Sequence, residues 1–254
     1  MAANRGTASR QSTSVLGTIR DARLGNFDFL GLLITRVITV VVYVALTGGT
    51  APRPGSLALE NLKYDGRLLS WSTFATAIIC GLAIVIVVKL KRGSKLSDYL
   101  GLIFPNLRQL FFWLVVLIAF NGISDGISVL LGKPTTPEFM VKAYSSLAPP
   151  WILWLALLVA APLFEELFFR GFLIKGLSAS VLRWYGAVII SSVMWAAIHI
   201  QYDLYGMATI LVLGFILGTA RIKSGSTILT MLLHAFTNLV ATGEVIIYLR
   251  NLGG

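Results

Sequence analysis

The chain has 254 residues, of which 56% are hydrophobic and only 13% are charged, and its net charge is +10. Soluble domains usually carry about 25% charged residues, and the mean hydropathy here is +0.82. These values exclude a soluble hydrolase and a nucleic-acid-binding protein. They predict an all-α polytopic membrane protein, a bundle of about seven (six to eight) transmembrane helices. The predicted partner is the lipid bilayer that surrounds this bundle. Cys80 is the only cysteine, so neither a disulfide framework nor a cysteine metal site is expected.

Seven apolar runs approach the length of about 20 residues that a helix needs to cross a bilayer. The chain divides into a polar N-terminal tail (1–27), a first group of transmembrane helices (28–144) and a C-terminal transmembrane core (145–254). No apolar stretch follows directly on a charged start, so no cleaved signal peptide is predicted. After the fourth span the helix is expected to continue along the interface to about residue 183. For the last span, the alternative is an end near residue 241 followed by a short terminal helix. The predicted spans are 29–47, 68–88, 109–131, 151–169, 184–201, 204–222 and 226–249.

The distribution of lysine and arginine predicts the orientation, because cytoplasmic loops carry an excess of basic residues. With seven spans and a cytoplasmic N-terminus, more than twice as many basic residues fall on the cytoplasmic side as on the other. The sequence therefore predicts an integral, multi-pass membrane protein with its N-terminus in the cytoplasm. In a prokaryote this would be the cell membrane.

Residues 151–173 place two adjacent acids inside an apolar stretch. A charged group at the centre of a membrane helix costs about 2.5–3.5 kcal/mol, so such acids usually have a functional or pairing role. Glu166 and Arg170 are four residues apart and are predicted to pair on one helix face. Glu165 lies about 100° around the helix and has no evident partner there. An unpaired acid in apolar surroundings is typical of a proton-transfer group, and structural pairing with other helices is the alternative.

Three further polar residues lie in the late spans. His199 and His234 are the only histidines of the chain, and Asn238 follows His234 by one helical turn. Ionisable residues within spans usually face the bundle interior, so a shared polar site is predicted. Asp125 in the third span is a weaker candidate for the same site.

These residues permit two ways of activating water. A glutamate and a histidine can deprotonate a bound water, while a second histidine and an asparagine donate hydrogen bonds to an oxyanion. Alternatively, Glu165, His199 and His234 are acceptable zinc ligands, and a catalytic zinc keeps a position open for water. A hydroxyl nucleophile is less favoured, because such groups in helices often bond only to their own backbone. The hydroxyl groups concerned belong to Ser191, Ser192 and Thr237.

The three motifs resemble those of the CPBP intramembrane proteases, also called the Abi family, whose best-known branch is the type II CAAX prenyl endopeptidases. The family pattern is EExxxR, then FxxxH, then HxxxN. The matching segments run from Glu165-Glu166 to Arg170, from Trp195 to His199 and from His234 to Asn238. Trp195 replaces the usual phenylalanine and keeps an aromatic ring. The resemblance covers about residues 145–245, and the first three spans resemble nothing specific.

The resemblance implies an intramembrane endopeptidase whose catalytic core is residues 145–254. It implies that Glu165 and His199 activate water and that His234 and Asn238 stabilise the oxyanion. The implied fold is an all-α bundle with a site open to the membrane and the cytoplasmic side. Members are often described as metalloendopeptidases, yet the favoured mechanism requires no cofactor, with zinc as the alternative. The supporting residues are expected to be Glu166 and Arg170.

His199 conflicts with the predicted topology, because it falls at the far end of the fifth span while Glu165 and His234 fall toward the cytoplasm. Either residues 183–195 are partly interfacial or the topology differs by one crossing. Two other functions compete with proteolysis: a scaffold or immunity-type protein that keeps the motifs as structure, and a proton-coupled transporter. The transporter is disfavoured because no inverted repeat is evident. The expected substrate is a peptide or protein, with or without a prenyl group, and its identity is not encoded in these motifs.

Overall fold

The computed structural model describes residues 38–45, 48, 62, 64–91, 93 and 95–252. In these ranges the protein is all-α, as predicted, and no strand occurs. Residues 38–45 are helical, and eight further helices follow in the described part of the chain. They are α1 (Gly66–Leu90), α2 (Leu96–Leu100), α3 (Leu107–Leu130), α4 (Glu138–Ser145), α5 (Trp151–Ser178), α6 (Arg183–Ala197), α7 (Leu204–Ser224) and α8 (Thr227–Leu252).

The number of spans differs from the predicted seven. Within the described ranges, five helices are long and apolar enough to cross a membrane, namely α1, α3, α5, α7 and α8. They correspond to the second, third, fourth, sixth and seventh predicted spans. Most of the first predicted span (29–47), including Arg36, and the polar tail (1–27) lie outside the described residues.

The prediction of a fifth span at 184–201 is wrong. Instead of crossing at 184–201, the chain forms α6, which has only 15 residues. At 1.5 Å per residue this helix is about 22 Å long, short of the roughly 30 Å hydrocarbon core. It begins at Arg183, whose φ is +53°, and is followed by a turn in which the amide of Tyr202 donates to the carbonyl of His199. The apolar run was thus long enough for a span, but turns at both ends shorten the helix.

Side-chain caps fix where three of the spanning helices begin. The carboxylate of Asp65 accepts from two backbone amides at the start of α1. Asn106 and Gln109 form a reciprocal capping box at the start of α3, and Asp203 accepts from the amide of Gly206 at the start of α7. These caps satisfy amides that have no partner within the helix.

Helix α5 departs from regular α geometry on both sides of the two adjacent acids. The segments Ala156–Ala160 and Leu167–Leu173 are π-helical, and Ala161–Glu166 between them is α-helical. Pro162 lacks the amide hydrogen that an α-helix requires, so a wider turn before it accommodates the proline. Glu165 and Glu166 both lie in the α-helical segment, so their side chains point about 100° apart around the helix.

Close packing of α6 against α7 positions the second motif. A Cβ atom added to Gly214 would lie 2.9 Å from Cβ of Ser192, and one added to Gly218 would lie 2.9 Å from Cγ1 of Val188. Small residues four apart let two membrane helices approach through their backbones. This contact holds the short helix α6 inside the bundle.

The apolar core lies where five helices meet. Its buried members come from α3, α5, α6, α7 and α8, and they are Leu117, Phe169, Trp195, Leu213, Leu217, Ala220, Leu229 and Leu233. The exposed surface of α1 is also apolar. Ile78, Leu82 and Ile86, which are spaced by four along this helix, are more than half exposed. Such a surface is expected to face lipid.

Candidate active site

Glu166, Arg170 and His234 form a buried charged network. Nη1 of Arg170 donates to Oε1 of Glu166 at 2.8 Å, and Nδ1 of His234 lies 3.0 Å from the same oxygen. The side chains of Glu166 and Arg170 are fully buried. Their pairing, predicted from the four-residue spacing, is confirmed. A single carboxylate therefore links α5 to α8.

Glu165 points away from this network toward α6. Its Oε2 accepts a hydrogen bond of 2.6 Å from Nε1 of Trp195. The sequence predicts no partner for this carboxylate. In the structure it has one, which comes from another helix. Glu165 also acts electrostatically on His199 and Tyr202, so the three side chains are neighbours.

His199 is oriented by the backbone of Trp195. Its Nδ1 lies 2.8 Å from the carbonyl oxygen of Trp195, one helical turn earlier. Because a carbonyl oxygen can only accept, Nδ1 carries the hydrogen, and Nε2 of the neutral ring keeps a lone pair. His199 can therefore accept a proton through Nε2.

His234 and Asn238 lie one turn apart on α8, as predicted. Nδ2 of Asn238 donates to the carbonyl of Leu157 at 2.7 Å, so one of its two amide hydrogens is available for another acceptor. The ring centroid of His234 lies 5.2 Å from that of Trp195, and the centroid of His199 lies at the same distance from Trp195. Both histidines contact one indole, and the conflict between His199 and the predicted topology is resolved because residues 184–201 do not form a spanning helix.

A cavity of about 520 Å³ opens beside these residues. Trp195, His199, His234 and Asn238 line it, whereas Glu165 does not. Asp125 on α3, the weaker candidate, also lines the cavity. Glu165 and Glu166 are connected to the cavity lining through hydrogen bonds to Trp195 and His234.

Trp195 and Tyr202 belong to this site but are absent from the residues that the sequence predicts for it. The signal for Trp195 in the sequence is its indole N–H, a hydrogen-bond donor that phenylalanine lacks. Tyr202 lines the cavity three residues after His199, and burial together with the charge of Glu165 raises its pKa to about 12. Its hydroxyl therefore remains a neutral hydrogen-bond donor at any ordinary pH.

The hydroxyl groups near the histidines are bound to backbone carbonyls. Ser192 donates to Val188, Thr237 donates to Leu233, and Ser191 donates to Phe169 across the α5–α6 contact. None of these contacts involves a histidine. Cys80 lies in α1 and is not among the residues that line the cavity.

The alternative prediction, a zinc site, requires three ligand side chains that converge on one point. Among the described residues, no group of three His, Cys, Asp or Glu side chains comes close enough together to hold a metal ion. Glu165, His199 and His234 approach the same indole, but they do not form a ligand set in this structure. The arrangement as it stands offers proton acceptors and hydrogen-bond donors.

The fold and the site together define a multi-pass α-helical membrane protein with a polar cavity among its C-terminal helices. Residues 147–240 match the model of a family described as type II CAAX prenyl endopeptidase Rce1-like. The match confirms the resemblance seen in the three motifs, over less than half of the chain. It supports an enzyme of the protease type in general terms.

One curated relative is a protein of Escherichia coli described as an uncharacterized 24.3 kDa protein. The two sequences are 36% identical over an alignment of 114 positions, and the match covers 41% of this chain and 52% of that protein. The chain thus spans about half the length of the curated relative it matches. No solved structure matches this chain.

Proposed function

We propose that this protein is an intramembrane endopeptidase that hydrolyses a peptide bond without a covalent intermediate. One observation carries the proposal: Trp195 contacts Glu165, His199 and His234 at the wall of a cavity within a membrane bundle. Ionisable side chains among apolar helices are costly, and this family-matched segment brings five of them into one connected group: Glu165, Glu166, Arg170, His199 and His234.

In the first step, water attacks the carbonyl carbon of the scissile peptide bond. Its proton passes to the base formed by Glu165 and His199, where Nε2 of His199 is free to accept because Nδ1 is bound to a carbonyl. The new C–O bond converts the carbonyl oxygen into an oxyanion. In the second step, the C–N bond breaks and the same proton is delivered to the leaving nitrogen, which gives a carboxylic acid and an amine.

The oxyanion is stabilised by donors on α8. Asn238 has an amide hydrogen left after its bond to Leu157. His234 donates its Nδ1 hydrogen to Glu166, so an Nε2 donor requires the doubly protonated ring. Preorganised donors of this kind are typically worth about 10²–10³ in kcat each.

The substrate is expected to be a peptide or protein that reaches the cavity from the bilayer, with or without a prenyl group. Tyr202 and residues of α3 line the same cavity as His199 and Asn238. They are the candidates for contacts to the substrate on either side of the scissile bond.

Cleavage by the purified protein in detergent is the direct test. A fluorogenic peptide panel that includes farnesylated CAAX peptides is offered to wild type and to Glu165→Gln, each with and without a strong chelator. The proposal expects cleavage that survives the chelator and is lost in the variant. Glu244→Gln is the matched control, because Glu244 is an acid of α8 outside the cavity lining, and it should cleave like wild type.

Other outcomes would change the proposal in defined ways. Loss of wild-type cleavage in the chelator would replace the proposed mechanism with metal-assisted activation. Equal cleavage by Glu165→Gln and wild type would contradict the role of Glu165. No cleavage of any peptide by a folded wild-type protein would favour a scaffold that keeps the motifs as structure.

A further inference from the structure

Trp195 occupies the position at which the family pattern has phenylalanine, and its indole provides a hydrogen-bond donor that phenylalanine lacks. Its indole Nε1 donates to Oε2 of Glu165 at 2.6 Å, a short hydrogen bond between a neutral donor and a carboxylate. The side chain is 1% exposed, so water does not compete for this donor. Tryptophan offers a single donor and no acceptor, which means that this contact uses its whole hydrogen-bonding capacity.

The surroundings hold the indole in place. Cζ of Arg170 lies 4.2 Å from the centroid of the Trp195 ring, within the range of a cation–π contact. The rings of His199 and His234 pack edge-on against it. The direction of the Nε1–H bond is therefore fixed by neighbours on α5, α6 and α8.

We propose that Trp195 is a positioning residue for Glu165, an inference that rests on the proposed function. The indole anchors one carboxylate oxygen, and Oε1 has no hydrogen-bond partner among the described residues. The free oxygen is then available to accept a proton from the attacking water. The same residue orients His199 through its carbonyl oxygen, so both parts of the proposed base are aligned by Trp195.

A spectroscopic test of the hydrogen bond does not depend on activity. The protein has six tryptophans, and labelling them with ¹⁵N gives one indole N–H signal each. The signal of Trp195 is identified by its loss in Trp195→Phe. It should lie downfield in wild type, move upfield in Glu165→Gln and stay in place in the control Glu244→Gln. An indole signal of Trp195 whose chemical shift is unchanged in Glu165→Gln would overturn the proposal.

Kinetics then test the positioning role. Trp195→Phe keeps the ring but removes the donor. It should lower kcat by about tenfold to a hundredfold, as expected for a lost hydrogen bond to a charged group, with little change in KM. Melting in detergent close to wild type would show that the variant is folded.

The outcomes separate this inference from the proposed function. If wild type cleaves and the indole signal responds to Glu165→Gln, but Trp195→Phe keeps full kcat, the hydrogen bond exists and the positioning role is wrong. If wild type cleaves nothing while the indole signal responds, the proposed function fails. The positioning role then fails with it, and the hydrogen bond remains a structural contact.

Discussion

Oε1 of Glu166 accepts from Arg170 and also contacts Nδ1 of His234, at 2.8 and 3.0 Å. The oxygen thus links a guanidinium of its own helix to an imidazole of α8. A buried carboxylate bound in this way is held in one position by two rigid helices. It also holds the ring of His234, a residue that lines the cavity. Glu166 therefore contributes orientation and charge balance.

The first prediction concerns the stability of this network. Arg170→Met removes the guanidinium and leaves the fully buried Glu166 without its main partner. We expect a loss of about 3–5 kcal/mol in the free energy of unfolding, since breaking a buried pair leaves an uncompensated charge. Thermal unfolding in detergent measures the effect. The double variant Glu166→Gln/Arg170→Met should recover part of the loss, because no unpaired charge remains between these two positions.

An exposed pair of the same spacing provides the control. Glu138 and Lys142 form an i,i+4 salt bridge on α4, and their side chains are 73% and 47% exposed. Lys142→Met should therefore cost less than about 1 kcal/mol. Equal melting of Arg170→Met and Lys142→Met would mean that the buried pair does not stabilise the fold.

Much of the site could be predicted because its motifs are local. The spacing of Glu166 and Arg170 places them on one helix face, and the same rule places His234 above Asn238. The hydrogen bond from Trp195 to Glu165 connects residues 30 apart on different helices. No periodicity within one helix could indicate it, although the replacement of phenylalanine by a hydrogen-bond donor was visible.

The number of spans could be predicted less well, because apolar length alone does not reveal turns. Helix α6 ends at Ala197 within an apolar run, and its burial depends on the close approach of α7 at Gly214 and Gly218. The spacing of these glycines was readable in the sequence, but the helix against which they pack was not. The error in the fifth span also produced the conflict between the position of His199 and the predicted topology.

The second prediction tests the proposed oxyanion donor on α8. Asn238→Ala removes the amide hydrogen that is free after the bond to Leu157. We expect kcat to fall about 10²–10³-fold, with a small change in KM, since the donor acts mainly in the transition state. Steady-state cleavage of the best peptide from the panel measures this. Thr230→Val, which removes a hydroxyl bonded to the carbonyl of Thr227, is the control on the same helix and should keep its activity. A raised KM with unchanged kcat in Asn238→Ala would instead assign this residue to substrate binding.

The third prediction concerns the contact between α6 and α7. In Gly214→Ala the new methyl group would lie 2.9 Å from Cβ of Ser192 and 3.2 Å from its Cα. Because part of this neighbour is backbone, the helices must separate, and overpacking of this kind costs about 1–3 kcal/mol. The carbonyl of Gly214 also faces Nη2 of Arg170 at 3.5 Å, so activity should fall together with the melting temperature.

Gly122→Ala is the matched control for this substitution. Gly122 lies in α3 with nothing within 4 Å of the added methyl group. There the alanine should stabilise the helix by about 0.5–1 kcal/mol through its better helix propensity. If both variants melted at the same temperature, the close approach of α6 and α7 would not be required for stability.

The fourth prediction concerns acid stability at the turn before α7. The hydrogen bond from Lys133 and then the amide of Gly206 lower the pKa of Asp203. Because the folded pKa lies below the unfolded value of about 3.9, the ionised carboxylate stabilises the fold above that pH. This contribution is lost as the pH falls through the lowered pKa. Asp203→Asn keeps a helix cap but not the charge, so its melting temperature should be below wild type at pH 7. The difference should shrink below about pH 4, and a difference that stays constant down to pH 3 would contradict the assignment.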